Sequence, residues 1–531
     1  MSFFNNESFK KFGQVVRVVN TGVQAISSAQ QLYQAVSSSQ NGTTNQQIRP
    51  SQREITFVQP NEAVNENKKK SLFEEFSKEF LKQNISLINK HRSSDGFTPL
   101  ICAVKRKCLD SVVLLLSNGA NLDDTDLKGN TALHHAVFIQ SLPIVKALLV
   151  FRADSKIKNK DGVDCLSVET SPEITHFLSK AKKWDEQKII ETPSLTPSLK
   201  TKLDEHKQQI AMHYQLTKSQ EDKKRSLRLL SLDGGGIRGL VLIQILMELE
   251  EICGNTENFV TKNFDWIAGT STGAILALAL ADGYKPIQCL RLYLRLKDDI
   301  FCGTRPYPDA KIEKFLKENF GENRKMANLN KKIKVFATAT KADQIPIEMM
   351  LFRSYDTPLK EPIDPLPKDV NIWKAARCSS AAPMYFSRVD GAIMDGGLMA
   401  NNPGVTLLLE VFKYIDFQAL KGENESPPPD LAFMLSLGTG KNPEIAVSST
   451  EVCLDLGMQG LIQTMQSLAN LKSILVEQIS TSDGQVVEIA RYMSHTRRAP
   501  YFRLTPSLNT DIQLDTIDNN LLIEMLWTTK V

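Results

Sequence analysis

Three short motifs in the C-terminal half of the chain carry residue types that do chemistry together. The first is Gly269-Thr270-Ser271-Thr272-Gly273, the pattern G-x-S-x-G, set between the apolar run Phe264 to Ala268 and the helix-forming run Gly273 to Leu280. A serine on a sharp strand-to-helix turn is held in a strained backbone with its hydroxyl presented outward, and flanking glycines remove the clashes of such a turn. The helix that follows aims the positive end of its dipole at the serine. Ser271 is the candidate nucleophile, with Gly269 and Gly273 as its elbow. The bland alternative is a phosphate-binding or purely structural turn, and the strand–turn–helix context favours the nucleophile.

The second motif, Asp233-Gly234-Gly235-Gly236-Ile237-Arg238-Gly239, also joins a strand-like run to a helix-like one. Alone, Gly234-x-Gly236-x-x-Gly239 is a weak dinucleotide fingerprint. Beside Ser271 it reads as an oxyanion loop: Gly234, Gly235, Gly236, Arg238 and Gly239 bring backbone N–H groups close to a substrate, Gly235 and Gly236 foremost. Arg238 braces the loop or meets a lipid phosphate, with bracing favoured. The third motif is Asp395-Gly396-Gly397, where Asp395 is either a base or the cap of a tight turn. Of the seven histidines, only His495 falls after residue 226, within the basic stretch Ser494 to Arg498, a poor place for a general base. A Ser271–Asp395 dyad is therefore the economical reading. A carboxyl of ordinary pKa, about 4, is a feeble base for serine, so burial must raise it. Asp233, the rival carboxylate, suits structural work at the loop start.

These motifs need a scaffold of alternating strands and helices, and the sequence supplies one. Leu227 to Leu232, Phe264 to Ala268, Lys332 to Thr338 and Leu431 to Leu437 read as strands, with Gly239 to Glu251 and Gly273 to Leu280 as helices. Such alternation predicts a largely parallel sheet flanked by helices. Upstream, Gly96, Thr98, Leu100 and Ala103 recur 33 residues later as Gly129, Thr131, Leu133 and Ala136, and Gly162 and Leu166 continue the step. That period is the ankyrin signature. Asn118-Gly119-Ala120 realigns with Phe151-Arg152-Ala153. The resulting domains are a mostly disordered basic segment at 1–70, ankyrin repeats with an N-terminal cap at 71–180, a charged linker at 181–226 and a catalytic domain at 227–531.

DGGGIRG, GTSTG and DGG, in that order, resemble the patatin-like phospholipase family. The stretches FDWIAGTSTGAILALAL, FCGTRPY, WKAARCSSAAPMYF, DGGLMANNP, SLGTG and YFRLTPSLNTDIQLD, behind ankyrin repeats, are similar to the calcium-independent phospholipase A2 (group VI) enzymes. The resemblance implies an α/β fold, a three-layer α/β/α hydrolase behind a short all-α ankyrin array. It also implies a serine acyl hydrolase that releases fatty acids from glycerophospholipids, with lysophospholipase and thioesterase side activities and homodimerisation through the catalytic domain. No cofactor and no metal is expected, since the dyad needs none and no D-x-D-x-D-G loop occurs. The alternatives are an inert ankyrin scaffold with a hydrolase-like fold and, on the glycine loop alone, a nucleotide-binding oxidoreductase.

Composition narrows partners and place. The 531 residues are 42% hydrophobic and 23% charged with net charge +4. All of that charge lies in residues 1–70, which hold eight basic and four acidic residues, so the remainder is neutral and nucleic-acid binding loses support. The longest apolar run, Ala274 to Ala281, is far short of the roughly 20 residues of a membrane span. Eight cysteines without a Cys-x-x-Cys pair and an N-terminus without a signal-peptide core predict an intracellular, cytoplasmic protein. The Phe/Val-bearing basic leader is compatible with peripheral membrane attachment to phospholipids or with mitochondrial targeting. The repeats are expected to place the enzyme and to offer a surface to a protein partner.

Overall fold

A computed structural model describes residues 88–90, 93–168, 170–180, 226–254, 257–357, 363–420, 429–443 and 483–530. The basic segment 1–70, the cap residues up to 87 and the linker 181–225 with its expected helical spacer lie outside the described residues.

The 33-residue period becomes two helical hairpins: α1 (Pro99–Lys105) with α2 (Leu109–Ser117), and α3 (Ala132–Phe138) with α4 (Leu142–Val150). Thr98 and Thr131 cap the first helix of each, accepting from the Ile101 and His134 N–H groups. That satisfies donors a helix start leaves open. One period further, Asp164 takes the threonine position and binds the Leu166 and Ser167 N–H groups, and among the described residues α5 (Pro172–Lys180) follows.

The C-terminal part contains β1 (Leu227–Leu232), α6 (Gly239–Ile252), β2 (Trp266–Thr270), α7 (Thr272–Ala281), α8 (Pro286–Ile300) and α9 (Asp309–Phe320). It continues with β3 (Lys334–Lys341), β4 (Glu348–Arg353), α10 (Ile372–Ser379), β5 (Ile393–Asp395), α11 (Gly404–Leu420), β6 (Leu431–Leu437), α12 (Gln485–Thr496), β7 (Tyr501–Leu504) and α13 (Asn519–Lys530). The sheet order is β4-β3-β2-β1-β6-β7, with β5 also paired to β3. Pairing is parallel from β3 through β7, and antiparallel only where β4 and β5 meet β3. Side chains alternate between two cores. Leu230, Ile267 and Val335 face one, with α6, α7 and α8, whereas Leu229, Trp266 and Phe336 face the other, with α11 and α12. The result is three layers, α/β/α. The second strand begins at Trp266, two residues later than the apolar run suggests. Asp265 instead accepts from the Arg228 N–H and Nε, fastening the start of β2 to β1.

The repeats and the sheet domain share one of those cores. Lys146 of α4 donates to Glu524 of α13 at 2.7 Å and sits 4.4 Å over the Phe177 ring, which meets Trp527 edge-on. Arg152 explains a break in the period. It stands where the previous repeat has Gly119, and it keeps the same left-handed backbone, φ +72° against +91°. A non-glycine residue there carries strain of about 1–3 kcal/mol. The guanidinium offsets it by pairing with buried Glu250 at 2.8 Å and donating to the Met247 carbonyl. Arg152→Ala should therefore destabilise the protein by about 2–3 kcal/mol, because it strands a buried carboxylate. Calorimetry is expected to show the repeats and the sheet domain still melting in one transition; an unchanged midpoint would refute the role of this pair.

Candidate active site

The strand order reverses between β1 and β6, and open sheets bind their ligands at such switch points; β2 is the next strand beside β1. The glycine loop follows β1 and Ser271 follows β2. Ser271 has φ +53° and ψ −120°, a conformation that side chains rarely adopt. Its neighbours must be glycine because backbones touch there. A Cβ on Gly269 would come within 2.2 Å of the Gly273 carbonyl oxygen, and one on Gly273 within 2.2 Å of the Leu232 oxygen. The Ser271 hydroxyl donates to Asp395 Oδ2 at 2.6 Å, and the other carboxyl oxygen accepts from the Gly397 N–H at 2.7 Å. Asp395 is buried, and burial pushes its carboxyl up to about 6, with the bonds from Ser271 and Gly397 pulling the other way.

The glycine loop lies against the serine: a Cβ on Gly234 would sit 3.2 Å from the Ser271 Cβ. Its donors are not equivalent. The Gly234 N–H is taken by the Asn401 carbonyl, that of Ile237 by Leu514 at 2.7 Å and that of Arg238 by Gly235. Gly239 donates back into the turn, to the Gly236 and Ile237 carbonyls. The Gly235 and Gly236 N–H groups donate to no other described residue. Of the five loop residues singled out by the sequence, these two keep free donors. Arg238 is buried, 3% exposed, and its charge acts on the Tyr385 phenol, so it braces rather than reaches outward. Asp233 is fully buried against Arg503 at 2.5 Å and tethers the loop to β7. His495 lies exposed in the last turn of α12. Among the described residues no group of acidic, histidine or cysteine side chains is placed to hold a metal.

A family model described as patatin-like phospholipase matches residues 230–407, and one described as ankyrin repeats (3 copies) matches residues 62–161. The chain is therefore similar to patatin-like phospholipases over residues 230–407 and to ankyrin repeats over residues 62–161. An 85/88 kDa calcium-independent phospholipase A2 of Rattus norvegicus is 40% identical over 328 residues, 59% of this chain and 40% of that protein. An intracellular phospholipase A2 of Caenorhabditis elegans is 30% identical over 430 residues, 80% of this chain and 38% of its own length. A calcium-independent phospholipase A2-gamma of Mus musculus is 30% identical over 315 residues, 55% of this chain and 36% of that protein. The chain thus spans about two fifths of the length of these relatives.

The sheet domain has supports that motif reading passed over. Leu514 clamps the glycine loop through its carbonyl, and the next residue, Asp515, is bound by Arg305 Nε at 2.7 Å and by the Tyr307 hydroxyl at 2.6 Å. These residues fall in FCGTRPY and NTDIQLD, two stretches whose likeness to known enzymes was visible but whose job was not. Ser379 of α10 is another: its hydroxyl accepts from the Ser271 N–H at 2.9 Å.

Proposed function

We propose that the protein is a calcium-independent phospholipase A2, a serine acyl hydrolase that releases fatty acids from glycerophospholipids. The observation that carries this is the 2.6 Å bond from the Ser271 hydroxyl to a buried carboxyl raised to about 6. Ser271 Oγ bonds to the ester carbonyl carbon while Asp395 Oδ2 takes its proton. The carbonyl oxygen becomes an anion facing the Gly235 and Gly236 N–H groups, which need not reorganise to receive it. Collapse of that intermediate expels the lysophospholipid alkoxide, which takes the proton back from Asp395. Water gives a proton to Asp395 and attacks the acyl-serine; as the acyl–Oγ bond breaks, Asp395 returns that proton to Ser271 Oγ, which frees the fatty acid and restores the dyad. A carboxyl near 6 is ionised at neutral pH yet basic enough to share in the transfer.

No helix among the described residues is long and apolar enough to cross a membrane, so the enzyme meets its lipid peripherally in this reading. The basic leader 1–70 is the segment for that attachment, with mitochondrial targeting as its other use, and the ankyrin surface not packed on the sheet domain is left for a protein partner. Homodimerisation through the sheet domain belongs to the same reading. The inert-scaffold alternative has no support in a site whose serine, carboxyl and open donors converge. Fatty-acid release from phosphatidylcholine vesicles in EGTA is the test. Activity is expected to equal that in added calcium, and activity that collapses on chelation and returns with calcium would overturn the metal-free mechanism.

A further inference from the structure

Ser379 closes α10 and is fully buried, with no exposed surface to offer a substrate. Its hydroxyl accepts from the Ser271 N–H at 2.9 Å. Its own carbonyl accepts from the Gly396 N–H at 3.3 Å, and two residues on, the Ala381 carbonyl accepts from the Asp395 N–H at 3.0 Å. One short segment thus grips the backbone of both reacting residues, which are 124 positions apart in sequence. The adjacent Ser380 is also buried but turns back on its own helix, its hydroxyl donating to the Ala376 carbonyl.

We propose that Ser379 is a positioning residue of the reaction, the side chain that fixes the strained Ser271 backbone at a set distance from Asp395. The proposal rests on the dyad reading above. The Ser271 φ of +53° must be held by its surroundings, because nothing in the residue itself favours it. The elbow glycines permit that conformation without enforcing it. A hydroxyl aimed at the Ser271 N–H does enforce it, since relaxation of φ swings the N–H away and leaves it unpaired in a part-buried site. The same bond occupies the Ser271 amide, so the oxyanion is left to the Gly235 and Gly236 donors. Removing the hydroxyl lets the elbow drift, and a misplacement of about 1 Å lowers turnover on the order of 10²-fold. Drift also weakens the Ser271–Asp395 bond, one of two that hold the carboxyl down against burial; no charged side chain is among the influences on it. The acid limb of the rate should then move above its parental position near 6.

The experiment measures kcat, KM and the acid limb on phospholipid vesicles for the full chain and its Ser379→Ala, Ser379→Thr, Ser380→Ala and Ser271→Ala variants. Ser379→Ala is expected to lose about 10²-fold in kcat with KM within about twofold and the limb displaced upward, as loss of an interaction felt only at the reacting atoms requires. Ser379→Thr keeps the hydroxyl and recovers most of the rate, and Ser380→Ala behaves as the parent. A parental kcat in Ser379→Ala, a rate loss with an unmoved limb, or an equal loss in Ser380→Ala would each overturn the positioning role. Retained hydrolysis by Ser271→Ala would instead overturn the nucleophile assignment, so the two failures read differently.

Discussion

Ser271→Ala protein should neither label with a fluorophosphonate probe nor release fatty acid above a trace, an expected loss on the order of 10⁴- to 10⁶-fold in kcat. The magnitude follows from where the work is divided. The loop donors at Gly235 and Gly236 survive the substitution and still bind an oxyanion, which alone leaves a residual advantage over water of about 10³ to 10⁴. What disappears is the covalent route, because Ser271 is the one serine in the chain flanked as G-x-S-x-G. The methyl group of alanine fits where the serine Cβ stood, and the Ser271 amide keeps its bond to Ser379. The fold should be intact by circular dichroism. His495→Ala, altering an exposed residue at the end of α12, should label and turn over as the parent does. Labelling that persists in Ser271→Ala would move the nucleophile elsewhere.

Much of this arrangement was legible because chemistry restricts the choices. A serine needs a base, and the histidine count left a carboxylate as the candidate; the elbow glycines, the loop and Asp395 carry their meaning in side chains or in the lack of them. The central strands were legible through their apolar runs. β7, Tyr501–Leu504, went unread because four residues at a sheet edge leave little pattern. β4 also lies at an edge, and its last residue, Arg353, is drawn into buried pairing with Glu410 and Asp364. Ser379 and Ala381 were invisible for another reason: two of the three bonds they make to the dyad and the adjoining Gly396 use backbone carbonyls, which every residue possesses. Arg152 was half visible. Its place in the 33-residue period called for glycine, and only the fold shows that Glu250 makes the exception worthwhile.

Asp395→Asn should inactivate the enzyme and stabilise it at the same time. Asparagine keeps the volume, and its carbonyl oxygen accepts from the Gly397 N–H as the carboxyl does, but it takes no proton from Ser271. A loss of about 10⁴-fold in kcat is the expected scale for a dyad or triad whose carboxylate becomes an amide. Stability moves the other way because the carboxyl sits at about 6 in the folded protein and near 3.9 in an unfolded chain. A folded pKa above the unfolded one means that the folded state binds the extra proton. The contribution of Asp395 to stability is therefore full below about pH 4 and lost as pH rises through about 6. Two units correspond to about 3 kcal/mol at pH 7, a penalty the amide does not carry. Denaturant melts should show Asp395→Asn ahead of the parent by that order at pH 7, with the gap closing toward pH 4. Parental kcat/KM should fall tenfold per unit below about pH 6, following the same proton. An amide variant less stable than the parent at pH 7, or a parental rate that holds steady down to pH 4.5, would mean that Asp395 is not the buried base.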